Sequence, residues 1–228
     1  LRTIEEMKDD FVSNMTHELK TPIAIAYSAN DALLNYDTTN DPDKKTKYLT
    51  IANKQLKRLG ELVENILAMS MERRKTMKLR PEDIQLREFV EEIAAAQRMR
   101  GDKDITINVN IPENTTIEAD RAHLANVLNN LIDNAIKYSR DSVEITVTGD
   151  SHDLSVRDNG IGIPSKSIPY LFNKFYRVPH GNRQDVRGYG IGLYYVKSIL
   201  DKMGWDIEAK STEGESSVFT IKFSKDEQ

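Results

Sequence analysis

Cysteine is absent from the 228 residues. That excludes disulfides, thiolate metal sites and a cysteine nucleophile, and it fits a reducing compartment. A long apolar run is also missing. The nearest, residues 23–34, is interrupted by Asn30 and Asp31 and falls short of the ~18 residues that a membrane helix requires. There is no excess of positive charge. The net charge of -4 gives no general attraction to DNA, RNA or acidic lipid, so no nucleic-acid partner is expected. The chain opens at Leu1 without an initiator Met or a signal-peptide layout. Its amphipathic start, with Glu5, Glu6, Lys8, Asp9 and Asp10, reads as part of something longer. No repeat recurs at a period of about 20–50 residues.

What is present is a soluble composition, 39% hydrophobic and 30% charged, long enough for one sizeable core plus a helical appendage. Ile4, Met7, Phe11, Met15, Leu19 and Ile23 are spaced three or four apart and predict a helix over residues 1–36. The polar segment 37–43, with Pro42, predicts a turn. Beyond it, Leu49, Ala52, Leu56, Leu59, Val63 and Ile66 step alternately by three and four, the seam of a coiled coil over residues 44–75. Burying six such side chains is worth about 10 kcal/mol before entropy costs. A lone hairpin leaves much of that seam wet, so two hairpins are expected to pair into a four-helix bundle, making a homodimer.

Near Arg80 and Pro81 the heptads stop. Residues 105–111, 143–148 and 218–223 alternate as half-buried strands, and helices are expected at 86–99, 121–139 and 190–203. The expected division is residues 1–76 and 77–228, the second an α/β sandwich whose strand order the pattern does not give. Six of the 11 glycines and three of the seven prolines fall between positions 160 and 192. A mobile loop over a ligand is expected there, bracketed by two points where backbone approaches something closely.

Three constellations carry chemistry. In the first helix His17 and Thr21 share a face, and Glu18 lies about 100° round. Pro22 has no N–H and predicts a kink beside the histidine. In 128–139, Asn130, Asn134, Lys137 and Tyr138 form one polar stripe, which could hold Mg²⁺ and phosphates or be a solvated face. In the third, Asp158 ends a strand and can accept from an exocyclic amine, while Gly160 and Gly162 allow a tight turn. Downstream, Gly188, Gly190 and Gly192 open a helix whose N–H groups can meet an anion. A Rossmann site would place such glycines early in a βαβ unit, whereas these precede the last long helix.

The run Ser13, His17, Glu18, Thr21 and Pro22 resembles the H box of histidine kinases residue for residue. The N box at 128–139, the D-x-G-x-G at 158–162, the L-F-x-x-F-Y-R at 171–177 and the G-x-G-I-G-L at 188–193 resemble, in order, the ATP-binding domain of the same family. Together the match covers about residues 8–223. The resemblance implies a dimeric four-helix bundle followed by an α/β sandwich of the Bergerat type (histidine kinase/Hsp90-like ATPase), an α+β protein overall. It implies that ATP phosphorylates His17, with Glu18 taking a proton from the other ring nitrogen, and that a response-regulator receiver domain then accepts the phosphoryl group on an aspartate. It assigns Asn134 to Mg²⁺, Lys137 and Tyr138 to the phosphates, and Asp158 to the adenine amine with Gly160, Gly162 and Ile163 beside it. Residues 165–187 become a lid, with Phe175, Arg177 and Leu193 at the nucleotide and Arg177 on the γ-phosphate. Thr21 is expected to orient water for a phosphatase reaction. The fragment is expected to be cytoplasmic, part of an inner-membrane sensor.

Two other classes fit the sequence less well. A conformational ATPase of the Hsp90 or MutL type carries a general-base Glu where this chain has Asn130. A silent ATP-binding scaffold needs neither His17 nor Glu18. Ser216 replaces a glycine of the family's terminal G-x-G-[ST]-x-F turn. His123, His152 and His180 are scattered, without ligand spacing.

Overall fold

A computed structural model describes residues 4–35, 41–72, 78–99, 104–140, 142–179 and 190–224. Backbone contacts divide the chain into two compact units, Leu1–Thr76 and Met77–Gln228.

The first unit is a helical hairpin of α1 (Ile4–Asn35) and α2 (Pro42–Glu72). The expected turn ends earlier than its composition suggested, because Pro42 is the first helical residue, where its missing N–H costs nothing. Asp41 caps the helix: its carboxylate accepts the Lys44 N–H at 3.1 Å and its carbonyl accepts the Lys45 N–H at 3.1 Å. The helical backbone of α1 runs unbroken across Pro22, which is buried.

The apolar seam of α2 divides between two faces. Leu62 is buried and Ala52 and Leu59 are half-buried, whereas Leu49, Leu56 and Val63 are 46%, 57% and 45% exposed. Those three lie seven residues apart, and Val12, Ile23, Tyr27 and Leu34 form a matching exposed set on α1. One hairpin therefore covers only part of its own apolar surface. Ile4, Met7, Phe11 and Ile66, also assigned to these stripes, have side chains outside the described residues.

The second unit has a five-stranded sheet in the order β2-β4-β5-β7-β6. Its strands are β2 (Ile105–Asn110), β4 (Val143–Gly149), β5 (Asp153–Asp158), β6 (Asp206–Thr212) and β7 (Ser216–Lys222). The β2–β4 pair is parallel and the other pairs are antiparallel. A second, two-stranded sheet pairs β1 (Glu82–Gln85) with β3 (Thr116–Ala119). Three helices, α3 (Leu86–Arg98), α4 (Arg121–Lys137) and α5 (Gly192–Met203), complete the unit.

The core is one cluster drawn from the sheet and all three helices. Helix α4 contributes Leu124, Val127, Leu128, Leu131, Ile132 and Ala135 at alternating steps of three and one, a wide apolar stripe that leaves the opposite face polar. Helix α5 stops at Gly204, which adopts φ 75° and lets Trp205 N–H reach the Leu200 carbonyl at 2.8 Å, a Schellman closure. Trp205 and Phe219 are buried as core. Ser216 lies in strand β7, paired with Thr212, and the turn's left-handed residue is Gly214 at φ 85°. The missing second glycine is therefore accommodated as ordinary extended backbone.

Candidate active site

In the first unit His17 is exposed on α1, and the Thr21 hydroxyl donates to the His17 carbonyl at 3.1 Å. The N–H that Pro22 lacks would serve the Glu18 carbonyl, one residue on, so this bond is an additional tie within the turn and not a replacement for the lost one. Thr16 makes the same kind of bond to the Val12 carbonyl at 2.8 Å, so the helix around His17 carries two threonines bonded back onto it. Met15 is buried and fixes which face points inward. The Glu18 backbone is helical, and its side chain is outside the described residues.

In the second unit the polar face of α4, the end of β5 and the start of α5 come together. Asp158 closes β5 and is 7% exposed. Its carboxylate accepts the Gly160 N–H at 2.8 Å. Burial pushes the Asp158 carboxyl above the usual range, and the N–H groups of Gly160 and Ser217 only partly oppose this. A buried carboxylate with remaining acceptor capacity suits an amine donor such as an adenine edge.

The loop after Asp158 is held at the end of α4, where Ile161 N–H donates to the Tyr138 carbonyl at 3.0 Å, and at β4, where the Asn159 side chain accepts the Glu144 N–H at 3.0 Å. A Cβ on Gly160 would lie 2.7 Å from both the Asp158 carboxylate and the Tyr138 carbonyl, so only glycine fits. Gly162 is required for a different reason. It has φ 67°, and a Cβ there would collide with the Thr212 carbonyl. Its close approach is to the β6–β7 hairpin of its own chain.

Asn130 donates its side-chain N–H to the Asn126 carbonyl at 2.9 Å, and its Oδ1 would lie 2.9 Å from a Cβ on Gly192. The first turn of α5 is thus packed against the amide stripe of α4, and glycine there keeps the Asn130 oxygen open to the helix N-terminus. Tyr138 is half-buried, and burial raises its phenol although the Arg177 charge acts in the opposite direction. This places Arg177 within reach of the end of α4. Asn134 is half-buried and Lys137 exposed on the same helix, while Ile163 and Leu193 are half-buried and pack on the core.

The expected lid is structured at its start. Ser165–Tyr170 form a 3-10 helix, and Ser167 and Leu171 are buried, because Leu171 joins the core cluster. Phe175, at φ 67°, donates its N–H to the Gly190 carbonyl at 2.9 Å. Gly188, His180, Arg183 and Arg187 lie outside the described residues.

Two serines were not anticipated. Ser217 is buried and directly opposite Asp158 in the β5–β7 ladder. The Ser211 hydroxyl accepts the Ile163 N–H at 2.8 Å and donates to the Ser216 carbonyl at 2.6 Å. The signal available in sequence was a run of hydroxyls straddling Gly214, read there only as a turn. His123 lies in the first turn of α4 with a buried Nδ1, and His152 sits in an exposed turn beside Ser151.

Among the described residues no group of three or more His, Cys, Asp or Glu side chains could hold a metal ion. The polar stripe of α4 offers the side-chain oxygens of Asn130 and Asn134. These fit Mg²⁺, which takes one or two protein oxygens and fills its remaining positions with water and phosphate.

Residues 7–75 match the His Kinase A (phospho-acceptor) domain, and residues 119–227 match the Histidine kinase-, DNA gyrase B-, and HSP90-like ATPase domain. The chain is 34% identical to the sensor protein RprX of Bacteroides fragilis, covering 96% of this chain and 44% of that protein. It is 29% identical to the sensor protein SrrB of Staphylococcus aureus, covering 98% and 39%. The chain thus spans less than half the length of these relatives. Among solved structures, the Acinetobacter baumannii histidine kinase AdeS superposes with a TM-score of 0.65 at 26% identity, over 92% of this chain and 98% of that one. Full-length ShkA in complex with AMPPNP has the same TM-score at 20% identity, over 92% and 45%, and shares the fold. With a phospho-acceptor domain and a kinase-type ATPase domain in one chain, this protein belongs to the sensor histidine kinases of two-component systems.

Proposed function

We propose that the second unit binds ATP and transfers its γ-phosphoryl group to His17, from which an aspartate of a response-regulator receiver domain takes it. The observation that carries this reading is the exposed His17 on α1 of a phospho-acceptor domain, in a chain that also carries the buried, glycine-bound Asp158.

In the proposed mechanism the Asp158 carboxylate accepts from the adenine amine, and the Gly160 turn holds that carboxylate toward the ring. Lys137 and Arg177 neutralise phosphate charge, Arg177 at the γ-phosphate, and Tyr138 contacts the phosphates from the end of α4. The N–H groups at Gly190, Gly192 and Leu193 face the phosphates from the α5 terminus. Asn130 and Asn134 would hold Mg²⁺ through their side-chain oxygens, and the ion supplies neutralisation of the triphosphate. One nitrogen of His17 attacks phosphorus, the bond to the bridging oxygen breaks, and ADP leaves with that electron pair. Glu18 takes the proton from the other ring nitrogen. Thr21, one turn on, would orient the water that hydrolyses the receiver's phosphoaspartate and releases phosphate.

The exposed heptad Leu49, Leu56 and Val63 supports a homodimer, because pairing two hairpins covers these side chains. No helix among the described residues is long and apolar enough to cross a membrane. In a longer sensor anchored in the inner membrane this portion would work on the cytoplasmic side.

Incubation with γ-labelled ATP and Mg²⁺ tests the reading. Wild type should take up acid-labile label, Asn134→Ala little, and His17→Gln none. Acid-labile label that survives His17→Gln sinks it.

A further inference from the structure

The β1–β3 ladder pairs Glu82 with Ala119. The chain entering the second unit, residues 78–81, therefore runs alongside the residue that opens α4. At that point a side chain continues the ladder. The Asp120 carboxylate accepts the Arg80 backbone N–H at 2.8 Å through Oδ2 and the His123 N–H at 3.0 Å through Oδ1. One oxygen caps α4, and the other holds backbone 40 residues earlier in the chain. Asp120 is only 9% exposed, so a lost partner is not replaced freely by water.

The same corner reaches α5. The Tyr195 hydroxyl is hydrogen-bonded to the Asn126 side chain and lies within the field of Asp120, and Asn126 in turn accepts the Asn130 amide through its carbonyl. Asp120, Asn126 and Asn130 thus stand along α4, with Tyr195 joining them to the helix that begins at Gly192.

We propose that Asp120 is a positioning residue, which fixes α4 and through it the nucleotide-facing amides to the backbone at Arg80. Movement of residues 78–81 is then delivered to the nucleotide site by one carboxylate rather than absorbed in a slack connection. A simple N-cap would need the His123 bond alone. The bond to Arg80 is the part that a cap does not explain. This inference rests on the nucleotide-binding reading of α4.

The test uses the full 228-residue chain and Mg²⁺ with AMPPNP, by titration calorimetry and amide hydrogen exchange. Arg80→Pro removes the N–H and leaves Asp120 intact, whereas Arg80→Ala keeps the N–H. Arg80→Pro should weaken binding about tenfold, equivalent to ~1.4 kcal/mol, and speed exchange in the first turns of α4. Arg80→Ala should match wild type in both. Unchanged affinity in Arg80→Pro, even with faster exchange, would overturn the inference, since it leaves Asp120 a structural cap only. If Arg80→Pro does not fold, Asp120→Asn, which still caps α4, should show the same loss, and wild-type affinity there would overturn the inference equally. Wild type that fails to bind the analogue defeats the nucleotide reading instead, and the exchange data then still report whether Arg80 holds α4.

Discussion

Phe175 and Gly190 are joined by one backbone hydrogen bond, Phe175 N–H to the Gly190 carbonyl at 2.9 Å, and both adopt left-handed backbone, at φ 67° and 66°. Phe175 is the sole non-glycine residue with positive φ among those described, a conformation that costs an aromatic residue about 1–3 kcal/mol unless its surroundings hold it. Lys174 stacks over the Phe175 ring at 5.5 Å and over Tyr194 at 5.1 Å, tying this point to α5. A Cβ on Gly190 would lie 2.8 Å from the Tyr176 carbonyl oxygen. Gly190→Ala is therefore expected to break the bond to Phe175. It should lower the unfolding midpoint by several degrees, from a cost of about 1–3 kcal/mol, and reduce AMPPNP affinity. Calorimetry on the same sample checks both.

The dimer seam yields a prediction of a different kind. Leu56 is 57% exposed on a single hairpin, so Leu56→Glu has little to disrupt within one hairpin. In a four-helix bundle it buries an unpaired charge, at a cost of several kcal/mol. Sedimentation should show wild type as a dimer and Leu56→Glu shifted toward monomer with its helical circular dichroism largely retained. A wild type that stays monomeric at ~100 μM, well above the Kd of about 1 μM that a free energy near −8 kcal/mol would give, would remove the pairing argument.

How much of this was legible in the sequence depended on how local the signal was. Helix α4 announced itself because its apolar stripe and its polar stripe are both periodic, and Asp158 because it stood at a strand end before two glycines. Strands β1 and β3 were missed because four residues are too few to show alternation. Strand β6, at the sheet edge, does alternate, with Ile207 and Ala209 set between Asp206, Glu208 and Lys210, and this signal was overlooked. The two roles of Asp120 and the Asp158–Ser217 pairing depend on partners about 40 and 60 residues away, which periodicity does not encode. Gly162 illustrates a subtler difference. A need for glycine was visible, but the object approached is Thr212 of the same chain.

Thr21 gives a prediction that separates two activities. Its hydroxyl donates to the His17 carbonyl and does not touch the imidazole through that bond. Thr21→Ala should leave autophosphorylation within about twofold of wild type, the effect expected of one exposed i,i−4 bond, while slowing dephosphorylation of a phosphorylated receiver domain. Paired kinase and phosphatase assays on one preparation decide it. Equal loss of both would place Thr21 in the fold of the helix rather than in water positioning.

Asp120 and Asp158 lie in one domain, yet acid should act on them in opposite directions. Burial opposes ionisation of Asp120, but the N–H groups of Arg80 and His123 outweigh it and hold the carboxyl below the ordinary 3.8. Its contribution to stability is present above 3.8 and is lost as pH falls through the lower folded value. Asp158 is shifted upward by burial. The folded state then holds that proton more tightly than the unfolded chain, so stability falls as pH rises from 3.8 through the raised value, and the cost persists above it. Nucleotide affinity has the reverse dependence, because the adenine amine needs the ionised carboxylate as acceptor. As pH is lowered through the Asp158 transition, AMPPNP binding should weaken while this residue ceases to destabilise the fold. Asp158→Asn isolates the effect: near neutral pH its unfolding midpoint should be no lower than that of wild type, while affinity drops at least about tenfold, ~1.4 kcal/mol. An asparagine variant that binds as tightly as wild type would show that the carboxylate does not receive the adenine amine. One that binds weakly but unfolds earlier would show that the carboxylate's bonds to Gly160 and Ser217 outweigh its burial.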